Sequence, residues 1–420
     1  MIDSQAFAQC HRFTDTQFVR KRALPVGRLV LFLLNLVQGA LQAELDRFYE
    51  VLQGVHIAAR MVTKAAFSLA RRKLHFGAFV EINDLVVERF YAEQPHGPPV
   101  HRWHGWRLLA IDGSTALLPR TEAVRAWFGV VAEGQAPPCV IGRVSTLYDV
   151  LNRIIVEAHL APYRIGEHEL ALVHLGRVGA RDLVLFDRGY PAFWLFSLLR
   201  TRGLQFCMRA TVNYCPAVDS FVRSGQAERI IDLSPGSQAR LDCRGKGLSL
   251  EPVRVRLVRV ELHSGEVEVL ITSLLDVAAY PHEHFAALYH QRWGIEEGYK
   301  VLKSRVAMEN FTGKSVHAVM QDFHAKIVTT NLTALLAHQA QSELAPTTRR
   351  HPVRVNLSHA LARMKDTVVR FFTAANRHQL LSAFIDLLRR TVEAVRPGRS
   401  FPRIQRTTRQ RFHPTYKRCG

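Results

Sequence analysis

The stretch Tyr289-His-Gln-Arg292-Trp-Gly-Ile-Glu296-Glu-Gly-Tyr-Lys-Val-Leu-Lys303 decides how the rest of the chain is interpreted. If it forms one α-helix at about 100° per residue, four polar residues fall within about 60° of one another: Tyr289, Arg292, Glu296 and Lys303. On such a face a carboxylate can bind a metal ion while the cations and the phenol bind phosphates. An ordinary amphipathic helix with an Arg292–Glu296 ion pair has the same spacing. The rest of the chain has to separate the two interpretations.

Two apolar runs upstream of this stretch each end in an aspartate. Arg107-Leu-Leu-Ala-Ile-Asp112 and Asp182-Leu-Val-Leu-Phe-Asp187 each predict a buried strand with a carboxylate as its last residue. The elements between and after them are predicted to be a hairpin and two helices, at residues 142–148 and 153–160, 167–175, and 191–201. This order of elements fits several α/β folds, so the pattern alone leaves the fold open.

The spacing of the four polar residues resembles the YREK signature of bacterial insertion-sequence transposases of the insertion-sequence-four family, and we name residues 282–305 the signature helix. Such proteins are DDE enzymes with an RNase H-like core, whose first and fourth strands lie side by side. The resemblance implies an α/β fold with an RNase H-like mixed-sheet core, in which Asp112, Asp187 and Glu296 form the catalytic triad. It also implies that three residues bind DNA phosphates: Tyr289, Arg292 and Lys303.

The implied triad has a clear use for metal ions. Three carboxylates in a cationic protein suit hard, oxygen-seeking ions. Two Mg²⁺ or Mn²⁺ ions held by Asp112, Asp187 and Glu296 would activate the nucleophile and stabilise the leaving oxygen of a phosphodiester. Without ions the clustered carboxylates repel one another, which raises at least one pKa. No glycine-rich phosphate loop is present, so we expect no nucleotide cofactor.

Several nearby residues are predicted to lie outside this centre. Glu297 points about 100° away from Glu296 on a helix, and Asp149 and Asp182 are expected to be structural. Trp293 is expected to pack in the core. The histidines near the strand and helix starts lack a metal-ligand spacing and are not expected to bind a metal: His101, His104, His282, His284 and His290.

Breaks in the pattern, together with the resemblance, predict five regions. These are an N-terminal helical DNA-binding region (1–97), the first part of the catalytic core (98–205), a β-rich insertion (206–281), the second part of the core with C-terminal helices (282–395), and a basic tail (396–420). In the first region, a basic amphipathic helix at 63–73 is followed by a helix around 80–91. This pair fits either a helix-turn-helix that reads DNA or a helical bundle with a solvated basic face.

Charge and composition indicate a polyanionic partner. The 420 residues contain 56 Lys and Arg against 36 Asp and Glu, a formal net charge of +20, so we expect double-stranded DNA as the partner. The longest apolar run, Leu29–Leu34, is too short to span a bilayer, and the N-terminus shows no signal peptide. Six scattered cysteines form no CxxC pair and are expected to be reduced thiols. We therefore expect a cytoplasmic bacterial protein associated with the nucleoid.

The expected function is that of a DNA transposase, which cuts and joins the strands at the ends of an insertion sequence and, as the resemblance implies, acts as a homodimer on paired ends. Two alternatives remain, a metal-dependent nuclease that does not join strands and an inactive DNA-binding regulator. A regulator would be expected to lack one acid, and all three are present. Family members that cut through a DNA hairpin hold a flipped base against an indole of the insertion. Residues 206–281 contain no Trp, so a ring such as Phe206, Tyr214 or Phe221 would have to replace it.

Overall fold

The structure, a computed structural model, describes residues 1–19, 23–57, 59–92, 97–131, 138–262, 265–345 and 350–396. The chain has an α/β fold built on one mixed sheet of eight strands, with a separate sheet of two strands. The strands are β1 (Arg107–Leu117), β2 (Ile141–Asp149), β3 (Ile154–Pro162), β4 (Asp182–Phe186), β5 (Gln205–Ala210), β6 (Glu228–Leu233), β7 (Val253–Glu261), β8 (Val267–Thr272), β9 (Val353–Val355) and β10 (Val392–Ala394).

The helices of the described residues surround this sheet. They are α1 (Gln5–His11), α2 (Val26–Leu34), α3 (Leu41–Gln53), α4 (Lys64–Arg71), α5 (Gly77–Tyr91), α6 (Glu122–Phe128), α7 (Glu167–His174), α8 (Phe193–Thr201), α9 (Pro216–Ser224), α10 (Ser237–Gly245), α11 (His284–His290), α12 (Trp293–Ser304), α13 (Val316–Ser342), α14 (Leu357–Met364), α15 (Thr367–Thr373) and α16 (Arg377–Arg390).

The strand order of the large sheet is β3-β2-β1-β4-β5-β8-β7-β6. Strands β1 to β3 are antiparallel neighbours, and β4 and β5 run parallel to β1. This is the RNase H-like arrangement, and the prediction that the first and fourth strands lie side by side is confirmed. Strands β6 to β8 extend the same sheet beyond β5 through antiparallel pairs. The β-rich segment, which also contains α9 and α10, is therefore continuous with the core sheet.

Local sequence patterns predicted most elements of the core. The hairpin and the two helices around the second aspartate are confirmed as β2, β3, α7 and α8. Helix α13 begins after Ser315, whose hydroxyl accepts the Ala318 N–H at 3.2 Å and so caps the helix. This long helix crosses the molecule and contacts α2, α5, α14, α16 and β3.

Strand β1 does not end at Asp112, contrary to the prediction. It continues to Leu117 because the residues after Asp112 pair with β2, from Gly113 opposite Ser145 onward. Its parallel pairing with β4 does stop there, and Ile111 opposite Phe186 is the last pair. Asp112 therefore lies inside a strand but at the end of that strand's contact with β4.

The signature helix is not continuous. The prediction that its polar residues lie along one face of a single regular helix is therefore wrong in detail. α11 ends at His290 and α12 begins at Trp293. Between them the backbone keeps helical angles, but the N–H groups of residues 291, 292, 294 and 295 bond to the third residue before them, which tightens the turn. Trp293, predicted to pack in the core, is 45% exposed, because the tightened turn changes the direction of the side chains that follow it.

The sheet separates two hydrophobic clusters. Residues alternate between the faces along each strand, so Leu108 and Ala110 lie in the cluster that includes α11 and α12, whereas Leu109 and Ile111 lie in the cluster that includes α7 and α8. In β4, Leu183 and Leu185 share the first face, and Val184 and Phe186 share the second. Continuing the alternation by one residue brings both aspartates to the face covered by α12.

The N-terminal helices share a third hydrophobic cluster with the C-terminal helices. It contains Phe32, Phe48 and Phe79 from the first and Val328, Val368 and Leu388 from the second. Helix α5 packs against α13 and β3, and Arg71 of α4 is buried in an ion pair with Asp322 of α13 at 2.9 Å. This packing supports the helical bundle over a helix-turn-helix. The second helix of the pair, α5, packs against α13 and β3, and a recognition helix would need a free face to enter a DNA groove.

Some predictions concern the remaining parts of the chain. None of the described helices is long and apolar enough to cross a membrane. Five of the six cysteines are free thiols, as predicted, and Cys419 lies outside the described residues. The predicted basic tail also lies outside them from residue 397 onward, as do residues 93–96 at the first predicted boundary.

Candidate active site

The parallel register of β1 and β4 brings Asp112 and Asp187 together. Because Ile111 lies opposite Phe186, each aspartate directly follows the last pair of this register, where neighbouring strands are about 4.8 Å apart. Each is partly buried and accepts a hydrogen bond from the backbone N–H that follows it, Gly113 at 2.8 Å and Arg188 at 2.6 Å. These bonds fix both carboxylates at the end of the parallel pair.

Helix α12 brings Glu296 to the same place. The Tyr299 hydroxyl donates to the backbone carbonyl of Asp112 at 2.7 Å and lies 3.1 Å from the Thr146 hydroxyl. Tyr299 lies three residues after Glu296 and so shares its side of the helix. Gly298 permits this close approach, because a Cβ atom there would lie 3.3 Å from the ring of Tyr148.

The electrostatics of the centre match three neighbouring carboxylates. Burial is the largest cause that raises the pKa of Asp112 to about 6, and the charges of Asp187 and Glu296 raise it as well. The Gly113 N–H and the Arg292 guanidinium act in the opposite direction. The carboxyl group of Asp112 is therefore within electrostatic range of Asp187, Glu296 and the cation Arg292.

Arg292 is buried beside the carboxylates. Its Nη2 donates to Glu296 Oε1 at 3.1 Å, while its Nε and Nη1 atoms are buried and have no hydrogen-bond partner among the described residues. The guanidinium carbon lies 5.2 Å from the Trp293 ring and 5.7 Å from the Tyr289 ring. Buried N–H groups without partners are costly, so two donors of this side chain are available to a ligand.

The other two predicted phosphate-binding residues occupy different environments. Tyr289 is 4% exposed, and its hydroxyl donates to the backbone carbonyl of Phe186 at 3.2 Å, which holds the end of β4 just before Asp187. Lys303 is exposed and lies seven residues after Glu296, about 10 Å along the helix axis. The structure thus separates a buried tyrosine from an exposed lysine.

Three acidic residues that were predicted to lie outside the centre form other contacts. Glu297 is exposed and forms an ion pair with Lys300 at 2.5 Å. Asp182 binds Arg107 through two bonds at 2.6 and 2.7 Å. Asp149 accepts the N–H groups of the turn that follows it and the Tyr91 hydroxyl.

The sequence interpretation missed one group at the centre, Tyr190. Its hydroxyl is buried and has no hydrogen-bond partner among the described residues. Burial, followed by the charges of Asp112 and Glu167, raises its pKa well above the usual value. The segment Asp187-Arg-Gly-Tyr190 held the only signal, a tyrosine three residues after the second aspartate.

Comparison with known proteins gives a consistent result. The family model described as "Transposase DDE domain" matches residues 103–332, a range that contains Asp112, Asp187 and Glu296. The chain is 24% identical over 339 residues to the transposase InsG for insertion sequence element IS4 of Escherichia coli (strain K12), over 79% of this chain and 74% of that protein. It is 26% identical over 216 residues to the putative transposase InsZ of the same organism, over 50% of this chain and 67% of that protein.

A solved structure is also similar to this chain. The cryo-EM structure of a piggyBac transposase synaptic complex with hairpin DNA covers 89% of this chain and 76% of its own, at 12% sequence identity and a TM-score of 0.44.

Proposed function

The chain belongs to the DDE transposase family, and we propose that Asp112, Asp187 and Glu296 are the residues with which it cuts and joins DNA. The observation that carries this proposal is the register of β1 and β4, which makes the two aspartates neighbours on the face covered by α12. Family membership makes the chain an enzyme of transposition that uses divalent metal ions. The assignment of these three residues is our inference.

The ions we propose are Mg²⁺ or Mn²⁺, two in number. The donor set consists of carboxylate oxygens, which hard ions prefer. The raised pKa of Asp112 is the effect expected when a desolvated carboxylate faces two others without a cation. When bound, the ions would supply activation of the nucleophile and stabilisation of the leaving oxygen. The three carboxylates would hold them and balance their charge.

The cations around the centre would bind the DNA backbone. The two unpartnered donors of Arg292, Nε and Nη1, lie on different edges of the guanidinium, so each would donate a single charge-assisted hydrogen bond to a phosphate oxygen. Lys303 would bind a phosphate farther along the strand as a point charge. To bind a phosphate, the Tyr289 hydroxyl would have to give up its hydrogen bond to the Phe186 carbonyl. Its buried position better supports a role in holding the end of β4.

The partner we propose is double-stranded DNA, as element ends and as target. The net charge of +20 supports a polyanionic partner, and binding by the N-terminal region, with the insertion and tail adding backbone contacts, remains our proposal. The family resemblance further suggests a homodimer on paired ends. For its location we propose the bacterial cytoplasm, at the nucleoid, where its DNA partner would lie.

The test is cleavage of labelled DNA that carries the candidate element ends, in Mg²⁺, by wild type and Glu296→Ala. We expect cleavage to fall by about a hundredfold to a thousandfold, the loss typical when one electrostatic contact to the reacting group is removed, because one of three metal-binding carboxylates is lost. DNA binding should persist, since the charge removed is negative. Joined products in the wild-type reaction separate a transposase from a nuclease.

The matched control is Glu297→Ala, which removes an exposed carboxylate from the adjacent position. Its cleavage should remain close to that of wild type. Equal cleavage by Glu296→Ala and wild type would make Arg292–Glu296 a structural ion pair and overturn the assignment. Tight binding with no cleavage by the wild type would favour the inactive regulator.

A further inference from the structure

A second group of metal-binding side chains lies on β3 and α7, apart from the carboxylate centre. Glu157 and His159 are alternate residues of β3 and so lie on one face of the sheet, and His174 is the last residue of α7. His174 Nδ1 is 2.7 Å from Glu157 Oε2, and His159 Nε2 is 3.2 Å from the same oxygen. One ligand atom from each residue lies within 4.8 Å of the other two.

We propose that Glu157, His159 and His174 form a binding site for a transition-metal ion of the Zn²⁺ class. Ligand atoms about 2.0–2.1 Å from a tetrahedral Zn²⁺ lie about 3.3 Å from one another. The two separations from Glu157 Oε2, 2.7 and 3.2 Å, are somewhat shorter than this value, so small side-chain rotations that move the ligand atoms apart would admit an ion. Two imidazoles and one carboxylate favour Zn²⁺ over Mg²⁺. This chemistry differs from the all-carboxylate centre of Asp112.

The surroundings leave one oxygen of Glu157 for the ion. Its Oε1 is 3.3 Å from Arg177 Nε, and the Nη2 of the same guanidinium pairs with Asp84 at 2.9 Å. Asp84 thus compensates much of the Arg177 charge, and Oε2 faces the two imidazoles. His159 Nε2, 3.2 Å from that oxygen, is buried and forms no hydrogen bond among the described residues.

His174 is oriented by a partner on its far side. The residue is fully buried, and each of its two ring nitrogens lies within hydrogen-bond distance of a polar partner. Its Nε2 is 3.0 Å from the Ser145 hydroxyl, which also lies 3.4 Å from the Asp112 carbonyl oxygen. A metal-bound histidine characteristically donates its other N–H to such a partner.

Metal binding would therefore select one tautomer of His174. In the absence of an ion, Nδ1 carries the proton and donates it to Glu157. With an ion on Nδ1, the proton moves to Nε2 and is donated to Ser145, so the imidazole keeps one proton throughout. Ser145 is then free to donate to the Asp112 carbonyl. The His159 side chain is 32% exposed, but its Nε2 atom is buried and has no hydrogen-bond partner among the described residues, so a bound ion would satisfy it.

The test uses the full chain with the carboxylate centre removed by Asp112→Asn and Asp187→Asn, stripped with EDTA and titrated with Co²⁺. We expect one Co²⁺ per chain, with the strong visible absorption of tetrahedral coordination, and its displacement by Zn²⁺. His159→Gln should weaken binding by at least about tenfold, the loss caused even by removal of an outer partner. Ser145→Ala should weaken it by about tenfold for that reason.

The matched control is His282→Gln. His282 lies 3.4 Å from Glu283 and is similarly exposed, but it belongs to no group of three ligands among the described residues, so Co²⁺ affinity should not change. If His159→Gln does not fold, Ser145→Ala decides the outcome. No Co²⁺ binding, a weak octahedral spectrum, or equal affinities in all variants would overturn the proposal. The result does not depend on DNA cleavage, so it is independent of the function proposed for the carboxylate centre.

Discussion

The folded chain binds a proton on the Asp112 carboxyl group more tightly than the unfolded chain does, because burial raises the pKa of this group. Its pKa is about 6, against 3.8 in the unfolded chain. A raised pKa stabilises the folded state fully below about pH 4, and this contribution is lost as the pH rises through about 6. In EDTA, wild type should therefore lose stability relative to Asp112→Asn between pH 4 and 7, by up to about 3 kcal/mol. Urea unfolding of both proteins measures the difference.

Two controls isolate the carboxylate of Asp112. Saturating Mg²⁺ should restore the stability of wild type at pH 8 and leave Asp112→Asn nearly unchanged. Asp15→Asn removes a carboxylate that is 99% exposed and should show the pH dependence of wild type. A stability difference between wild type and Asp112→Asn that is the same at pH 4 and pH 8 would contradict the prediction.

At the scale of elements, the approach of α12 to the sheet depends on Gly298. A Cβ atom at this position would lie 3.3 Å from the ring of Tyr148, which is itself buried. Gly298→Val adds a branched side chain to that contact and should push α12 away from β2. We expect a loss of about 1–3 kcal/mol of stability, typical of overpacking, and a larger loss of DNA cleavage because Glu296 moves with the helix.

The matched control for Gly298 is Gly245, at the end of α10. A Cβ atom there would meet nothing within 4 Å, so Gly245→Val should change the free energy of unfolding by less than about 0.5 kcal/mol. Thermal unfolding and cleavage assays of the two variants provide the comparison. Normal cleavage by Gly298→Val would show that the position of α12 does not depend on this contact.

The elements also show which parts of the centre were predictable from the sequence. Apolar runs closed by Asp112 and Asp187 predicted two strands, because burial and alternation are local properties. The continuation of β1 to Leu117 depends on pairing with β2, a partner distant in the chain. The tightened turn before Trp293 depends on how α11 and α12 pack on the sheet. Tertiary contacts decided both features.

The Glu157 cluster was missed for the same reason. His159 and Glu157 are close in sequence, but His174 reaches them only through the packing of α7 on the sheet. No short spacing distinguishes His159 and His174 from the other histidines of the chain. Likewise, the burial of the Tyr190 hydroxyl follows from the assembled core.

At the scale of the whole molecule, the described N-terminal and C-terminal helices pack around one shared hydrophobic cluster. Phe32 and Phe48 share a hydrophobic cluster with Val328 and Leu388, and Arg71 crosses between the two sets of helices. Its guanidinium bonds to Asp322, Gln321, Thr312 and the Ala318 carbonyl. If DNA binds to the N-terminal helices, any displacement of these helices would therefore be transmitted to α13, which contacts β3.

The Arg71–Asp322 pair provides the test of this coupling. Both side chains are at least 96% buried, so Arg71→Met leaves a buried carboxylate without its cation and should cost about 3–5 kcal/mol. Because the helices share one core, urea unfolding should stay a single transition that shifts as a whole. The double variant Arg71→Met/Asp322→Leu should recover most of the loss, since no charge is then left unpaired.

The comparison for Arg71 is Arg47→Met. Arg47 also joins an N-terminal helix to the C-terminal part, through Asp366 at 2.5 Å, but its side chain is 57% exposed. Water screens such a pair, so its loss should cost no more than about 1 kcal/mol. If Arg71→Met instead produces two transitions, with the N-terminal helices unfolding first, those helices form a separate unit. A mechanical path from bound DNA through α13 would then be excluded.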